Sequence, residues 1–222
     1  MEGQDRQART RHTRTAVIEA AQVLFLERGY AATTIEAISD RSDTPQATIY
    51  RLFGTKLGIL RSVLDTSIAG DDEPVPMLER PATADLLADP DPRAQLARFG
   101  GMLRSIMSRG APVHRLLAEA ARSDPEAAAL LADNARQRHE GQRRVARSLA
   151  RAGALRPGLR ERDAADLIHA LASPELYGLL VLDRGWSDDR YQQWVTATLT
   201  DQLLADDPGG RGTSAREREH TR

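Results

Sequence analysis

Apolar residues recur along most of this chain at intervals of three and four, the spacing of an α-helix, and no stretch alternates convincingly as a strand does. The pattern predicts an all-α protein. Val17, Ile18, Ala21, Leu24 and Phe25 mark one face of a first helix over residues 13–28, and Gly29 ends it. Thr33 is expected to cap a short second helix, with Glu36 completing a capping box and Ile35 and Ile38 facing inward. Thr44 and Pro45 predict the start of a third helix, which hides Ile49 and Phe53 and stops at Gly54. Thr55 caps a fourth, with Leu57, Leu60 and Leu64 inside. Gly58 in its first turn is expected to cost that helix roughly 1 kcal/mol relative to Ala.

A break follows over residues 69–85, where Pro74, Pro76 and Pro81 cluster. Beyond it the helices are longer. One is expected over 92–109 with Gly110 as its stop, and another over 112–122. Asp124 caps a third that starts at Pro125 and reaches Arg151, and "GALRPG" breaks the chain again. The next covers 161–182, where Pro174 must kink or divide it. Ser187 caps the last, which ends near Ala205. The organisation expected is a flexible basic arm (1–12), a helix-turn-helix domain (13–68), a linker (69–84), a larger helical domain (85–205) and a disordered polar tail (206–222).

Two short helices around a tight turn, braced by a helix on each side, form a helix-turn-helix, whose second short helix enters the major groove of DNA. That geometry explains "TPQATIYRLFGTK". With Ile49 and Phe53 buried, Gln46, Thr48 and Arg51, with Ala47 and Tyr50, are left to face outward. Gln reads adenine, Arg reads guanine or holds a phosphate, and Ala47 meets a thymine methyl. Tyr50 suits a phosphate, as does Lys56 at the start of the fourth helix. Thr33 and Thr34 cap a helix start that also suits phosphate. Arg11 and Arg14, in a run without acids after Asp5, are placed to follow the backbone or reach the minor groove. No Asp or Glu stands between Thr44 and Leu64.

Residues 14–60 resemble the DNA-binding domain of the TetR (tetracycline-repressor-like) family of bacterial regulators, in "AAQVLFLERGYAATTIEAIS" and "ATIYRLFGTKLGIL". The sequence departs from the family pattern in having Asp43-Thr44 for a Gly-Val turn, Leu52 for a His or Tyr, and Leu57-Gly58 for a pair such as Glu-Ala. The resemblance implies a homodimer on a palindromic double-stranded DNA operator, most often as a repressor, released by a small, largely apolar effector. It also implies that the C-terminal helices form the effector pocket and that the last two pair with their mates as a four-helix bundle. Leu167, Leu171, Leu176, Leu179 and Leu180 are interface candidates on one helix, and Tyr191, Trp194, Val195, Thr198 and Leu199 on the other. Met102, Met107, His114, His139, His169 and Tyr177 stand out on helices otherwise rich in Leu, Ala and Arg, and are the pocket candidates. The competing reading of each is plain core packing.

Composition trims this picture. With 41% hydrophobic but only 4% aromatic residues, the core must be mainly Leu, Ala, Val and Ile. A net charge of -1 excludes a globally basic nucleic-acid binder and leaves a locally basic one. The absence of Cys excludes disulfides and thiolate metal sites. No cofactor motif is present, and no apolar run or signal segment calls for a membrane, so a cytoplasmic protein is expected. Catalytic signatures are missing: "HEGQR" at His139 lacks the second His of a zinc-protease motif, and no Gly-x-Ser-x-Gly elbow occurs. The alternative to a regulator is a helical protein-interaction module that keeps the fold without sequence-specific DNA binding.

Overall fold

The computed structural model describes residues 2–71 and 77–205. The tail expected over 206–222, and Pro74 and Pro76, lie outside the described residues. All ten α-helices pack without a strand among the described residues, where one isolated bridge joins Leu155 to Leu204.

The helix α1 (Glu2–Arg28) starts well before residue 13, so the stretch expected as a flexible arm is helical over its described part. Its sequence carries Gln4, Arg6, Gln7, Arg9 and Arg11, good helix formers that leave no apolar stripe to betray the helix. Further along, Val17, Ala21 and Phe25 are fully buried on the expected face, and Gly29, at φ 82°, ends the helix. The next helices are α2 (Ile35–Ser42), α3 (Gln46–Phe53) and α4 (Lys56–Ala69). Two of the expected caps shift. Thr34, not Thr33, caps α2 by accepting from Ala37 N at 3.1 Å, so Glu36 is not at the capping-box position. The residue before α3 is Pro45, without a side-chain cap, and Thr44 is buried in the turn. Thr55 caps α4 as expected, accepting from Gly58 N at 3.0 Å.

Gly58 is not the weak point that helix propensity implies. A Cβ there would lie 2.0 Å from the Phe53 backbone oxygen, so the missing side chain is what lets α4 follow α3 so closely.

Past the break, a short α5 (Pro81–Ala88) occupies part of the expected linker, with Pro81 in its first turn. The helix α6 (Pro92–Ala120) runs unbroken through Gly110 and Pro112, where two helices were expected. The reason is tertiary. Gly110 is buried with its missing Cβ 3.6 Å from Ile68 of α4, and Val113 and Leu117 beyond it are fully buried. That burial outweighs the local cost of Gly and Pro. The helix α7 (Pro125–Arg151) starts with the expected Asp124 cap. The helix α8 (Glu161–Leu171) ends ahead of Pro174, which opens a new turn, α9 (Pro174–Tyr177), capped by Ser173. A π-helical turn, Gly178–Asp183, follows, and α10 (Asp188–Leu203) starts at Ser187. Glu161–Asp183 is long and apolar enough, by length and composition, to cross a membrane. In this fold the segment is broken at Ala172, and Ala164, Ile168 and Tyr177 are packed in the protein core.

Two cores result. One joins α1–α4 and takes in Val113, Leu116 and Leu117 of α6 with Leu130 of α7. The other holds α6–α8 and α10 together around Phe99, Leu149, Ile168, Tyr191 and Leu199. The long α6 is common to both, so the small N-terminal domain is anchored to the larger one through apolar packing.

Candidate nucleic-acid interface and effector cavity

The turn between α2 and α3 sets the angle of the candidate recognition helix. Asp43 adopts the left-handed conformation (φ 48°, ψ 38°) where the family pattern has Gly. Asp tolerates this region better than most residues. Side chains secure the turn: Ser39 Oγ donates to the Thr44 carbonyl at 2.7 Å, and Thr44 Oγ1 donates to the Ser42 carbonyl at 3.1 Å. Ile49 is 1% exposed and anchors α3 from beneath. Gln46, Ala47, Tyr50 and Arg51 are exposed together on the opposite side, and Thr48 is half-buried beside them.

The N-terminal part of α1 lies alongside. Arg9, Thr10 and Thr13 line a groove of about 620 Å³ with Arg51 and Leu52 of α3. Thr10 and Thr13 were not singled out in the sequence, because with that stretch read as an arm nothing placed them next to α3. Arg11 is exposed on the same helix.

Three candidates hold the motif together. Thr33 is fully buried, and its hydroxyl donates to the Leu24 carbonyl at 3.2 Å and to the Gly29 carbonyl at 2.8 Å. Arg14 donates to Ser62 Oγ at 2.8 Å and lies over the Phe53 ring at 4.8 Å. Lys56 donates to the carbonyls of Tyr30, Ala31 and Thr33 at 2.8, 3.3 and 2.9 Å. An ammonium has three N–H groups, so these carbonyls account for all of them. Partial burial lowers the Lys56 pKa from its ordinary value. Thr34 stays exposed at the α2 N-terminus.

The larger domain contains a cavity of about 990 Å³ that reaches from α4 to α5, α6 and α7. Its apolar lining includes Phe99, Met102, Leu103, Met107 and Val145, and its polar lining His114, Arg138 and Gln142. Ile68 and Ala69 of α4 contribute a wall, so a ligand here would touch the helix that follows α3. Of the six pocket candidates, Met102, Met107 and His114 line the cavity, together with Pro174. The other three do not. Tyr177 is 2% exposed, stacks edge-on against Tyr191 at 4.9 Å and donates to Asp188. Desolvation, then this bond, raises its pKa. His169 Nδ1 meets Gln142 Oε1 at 2.7 Å, and His139 packs edge-on against His169 at 5.0 Å. This pair stands behind Gln142 and off the cavity wall. Arg138 and Gln142 were missed because polar residues on an Arg-rich helix look like a solvated face.

The interface candidates also divide. Tyr191, Val195 and Leu199 are fully buried within the single chain, so they are core residues and not interface residues. Burial pushes the Tyr191 pKa up to about 12. Leu167, Leu171, Leu176, Leu180, Trp194 and Thr198 are half-buried, and Leu179 is 58% exposed. Leu182, which the sequence did not single out, is 40% exposed on the same π-helical turn.

Comparison with known proteins follows this geometry. Residues 17–63 match the family model described as bacterial regulatory proteins, tetR family. The HTH-type transcriptional repressor Rv3405c of Mycobacterium tuberculosis is 33% identical over 107 residues, 46% of this chain and 50% of that protein. The chain thus spans about half the length of the curated relatives it matches. The fold is shared more widely. NalD, the secondary repressor of the MexAB-OprM multidrug efflux pump in Pseudomonas aeruginosa, superposes with a TM-score of 0.64 at 21% identity, over 88% of this chain and 98% of NalD. SmeT of Stenotrophomonas maltophilia, in its complex with triclosan, gives 0.65 at 20% identity, over 87% of this chain and 92% of SmeT.

Proposed function

We propose, from the match of residues 17–63 to the tetR family of bacterial regulatory proteins, that this chain is a ligand-responsive transcriptional regulator, a repressor acting in the cytoplasm. A homodimer sets two α3 helices in successive major grooves of a roughly palindromic operator. Gln46, Ala47, Thr48 and Arg51 read base edges. Tyr50, Arg11 and the α2 N-terminus at Thr34 hold phosphates and set the register. The half-buried leucines around Leu179, with Trp194 and Thr198, meet their mates across the dimer axis.

The single observation that carries this reading is the acid-free exposed face of α3, held rigidly by Ile49 beneath and by the hydrogen-bonded turn before it. The cavity supplies the switch. A small, largely apolar effector between α4, α6 and α7 displaces α4, and with it the spacing of the two heads. It acts as an inducer because it binds the DNA-incompetent spacing more tightly.

The test is selection of bound sequences from a random duplex library at two salt concentrations, using the purified protein and the same protein refolded free of ligand. One palindromic motif, with affinity falling steeply as salt rises, is the expected result. Failure to recover a motif from either preparation overturns DNA reading and leaves a helical interaction module.

A further inference from the structure

The cavity contains an unmet demand. Arg138 of α7 lines it, and the Nε and Nη1 atoms of its guanidinium are buried with no hydrogen-bond partner among the described residues. Arg138 as a whole is half-buried, so the cost falls on these two N–H-bearing atoms, which have lost water and gained no acceptor. The other charged groups on the wall are engaged. Arg14 donates to Ser62, Asp71 forms a two-point pair with Arg80, and Glu140 lies 3.4 Å from Arg143. Asp65 faces the fields of Arg61 and Arg14. Glu175, the carboxylate whose field reaches Arg138, makes no hydrogen bond to it. Glu175 Oε1 instead sits 3.7 Å from His114 Nε2, with 60% of its side chain exposed.

We propose that the effector is an amphipathic carboxylate, its head held by the Arg138 guanidinium and its apolar body lying along Phe99, Met102 and Met107. This rests on the reading of the cavity as the effector site. The guanidinium fork matches a carboxylate in plane and spacing, and such charge-assisted pairs are about twice as strong as neutral hydrogen bonds. His114 and Gln142, on the same wall, offer further polar contacts to the head. A monoanion fits better than a dianion, because Glu175 already offsets part of the positive field. The cavity, at about 990 Å³, lies at the upper end of the roughly 300–1,000 Å³ usual for small-molecule sites. It therefore has room for a long apolar body.

The experiment is calorimetric titration of the full-length protein with decanoate, decanol and decylamine, each below its aggregation concentration. The wild type is expected to bind decanoate about tenfold or more tightly than decanol, the effect of one or two charge-assisted hydrogen bonds. Arg138→Met keeps the volume and removes the charge. It is expected to bind decanol unchanged and to lose the preference for the acid. Glu175→Gln removes the competing carboxylate and is expected to tighten decanoate binding, which provides a second reading should Arg138→Met misfold. Equal affinity for decanoate and decanol, tighter binding of decylamine, or an acid preference that survives Arg138→Met overturns the proposal while leaving an apolar effector site intact. Binding of none of the three overturns the cavity as an effector site as well, whereas the operator selection tests DNA reading independently.

Discussion

The Lys56 ammonium lies 2.8 Å from the Tyr30 carbonyl oxygen and 4.4 Å from the centroid of the Tyr30 ring. The only lysine in the chain thus ties the start of α4 to the loop between α1 and α2, which fixes the frame in which α3 is presented. If Lys56 is such a brace, Lys56→Met leaves three carbonyls without their donor and destabilises the protein by about 2 kcal/mol. It weakens operator binding without changing its salt slope. A phosphate ligand behaves differently, since its loss lowers the slope by about one while stability stays put. Urea unfolding and a salt series on the same variant separate the two roles.

Arg51 and Tyr50 differ in what they are expected to contribute. Arg51→Ala should cost about 1–3 kcal/mol in operator affinity and relax the sequence preference at one position per half-site. Tyr50→Phe deletes a single hydroxyl on an exposed ring, so it should weaken all sequences alike by about 1 kcal/mol. Measured affinities for the selected operator and for single-base variants check both. If neither substitution has a detectable effect, α3 is not the reading helix.

Exposure divides the interface candidates more sharply than sequence did. Leu179 and Leu182 expose 58% and 40% of their surface in the isolated chain, whereas Tyr191 exposes none. Leu179→Glu combined with Leu182→Glu should therefore convert the dimer to a folded monomer in sedimentation, with little change in monomer stability. Tyr191→Ala should instead unfold the larger domain, at a cost of about 3 kcal/mol or more. An unaltered sedimentation profile for the double variant places the dimer axis elsewhere.

The parts that were legible were those with a local cause. Gly29, Gly54, Thr55, Asp124 and Ser187 punctuate helices through their own backbone or side chain, and each sets one helix boundary. The outward face of α3 followed from the spacing of Ile49 and Phe53. What escaped depends on contacts distant in sequence. Gly110 and Pro112 read as a stop until α4 is seen packing on α6. Arg138 reads as a surface residue until the cavity is seen beside it. Tyr191 reads as an interface aromatic until Tyr177 is found against it. Periodicity marks an apolar face, but it does not say whether the neighbour belongs to the same chain.

Acid should weaken the larger domain. Burial holds His114 below the ordinary imidazole value of 6.5, Arg138 adds to the effect, and Glu175 opposes it. Burial lowers His169 likewise, with Arg138 and His139 contributing and Glu175 and Asp166 opposing. As pH falls through 6.5 the unfolded chain takes up protons that the folded chain refuses, so unfolding is favoured. Stability is thus fully present above that value and lost below it. One refused proton gives a slope of at most about 1.4 kcal/mol per pH unit. His169 is more exposed, so solvent screening reduces its share. Urea unfolding of the wild type and His114→Gln at about pH 7.5 and about pH 5.5 should show the smaller loss in the variant. An equal loss removes His114 as a source of the acid sensitivity.

Gly58 gives the most direct contest between local propensity and packing. In an exposed helix interior, Gly→Ala stabilises by about 1 kcal/mol. Here the new methyl carbon would stand 2.0 Å from the Phe53 oxygen, and that oxygen already accepts from Thr55 N at 2.8 Å across the turn between α3 and α4. Relief has to come from the backbone, because no flexible side-chain end is available to move. Gly58→Ala should therefore destabilise the N-terminal domain by about 1–3 kcal/mol, the usual cost of overpacking. It should also swing α3 relative to α4, so operator affinity falls by more than stability alone explains. Thermal unfolding and operator titration of Gly58→Ala decide the matter. A variant more stable than the wild type, with unchanged affinity, shows that the turn relaxes freely and that the close approach of α4 to Phe53 does not set the recognition helix.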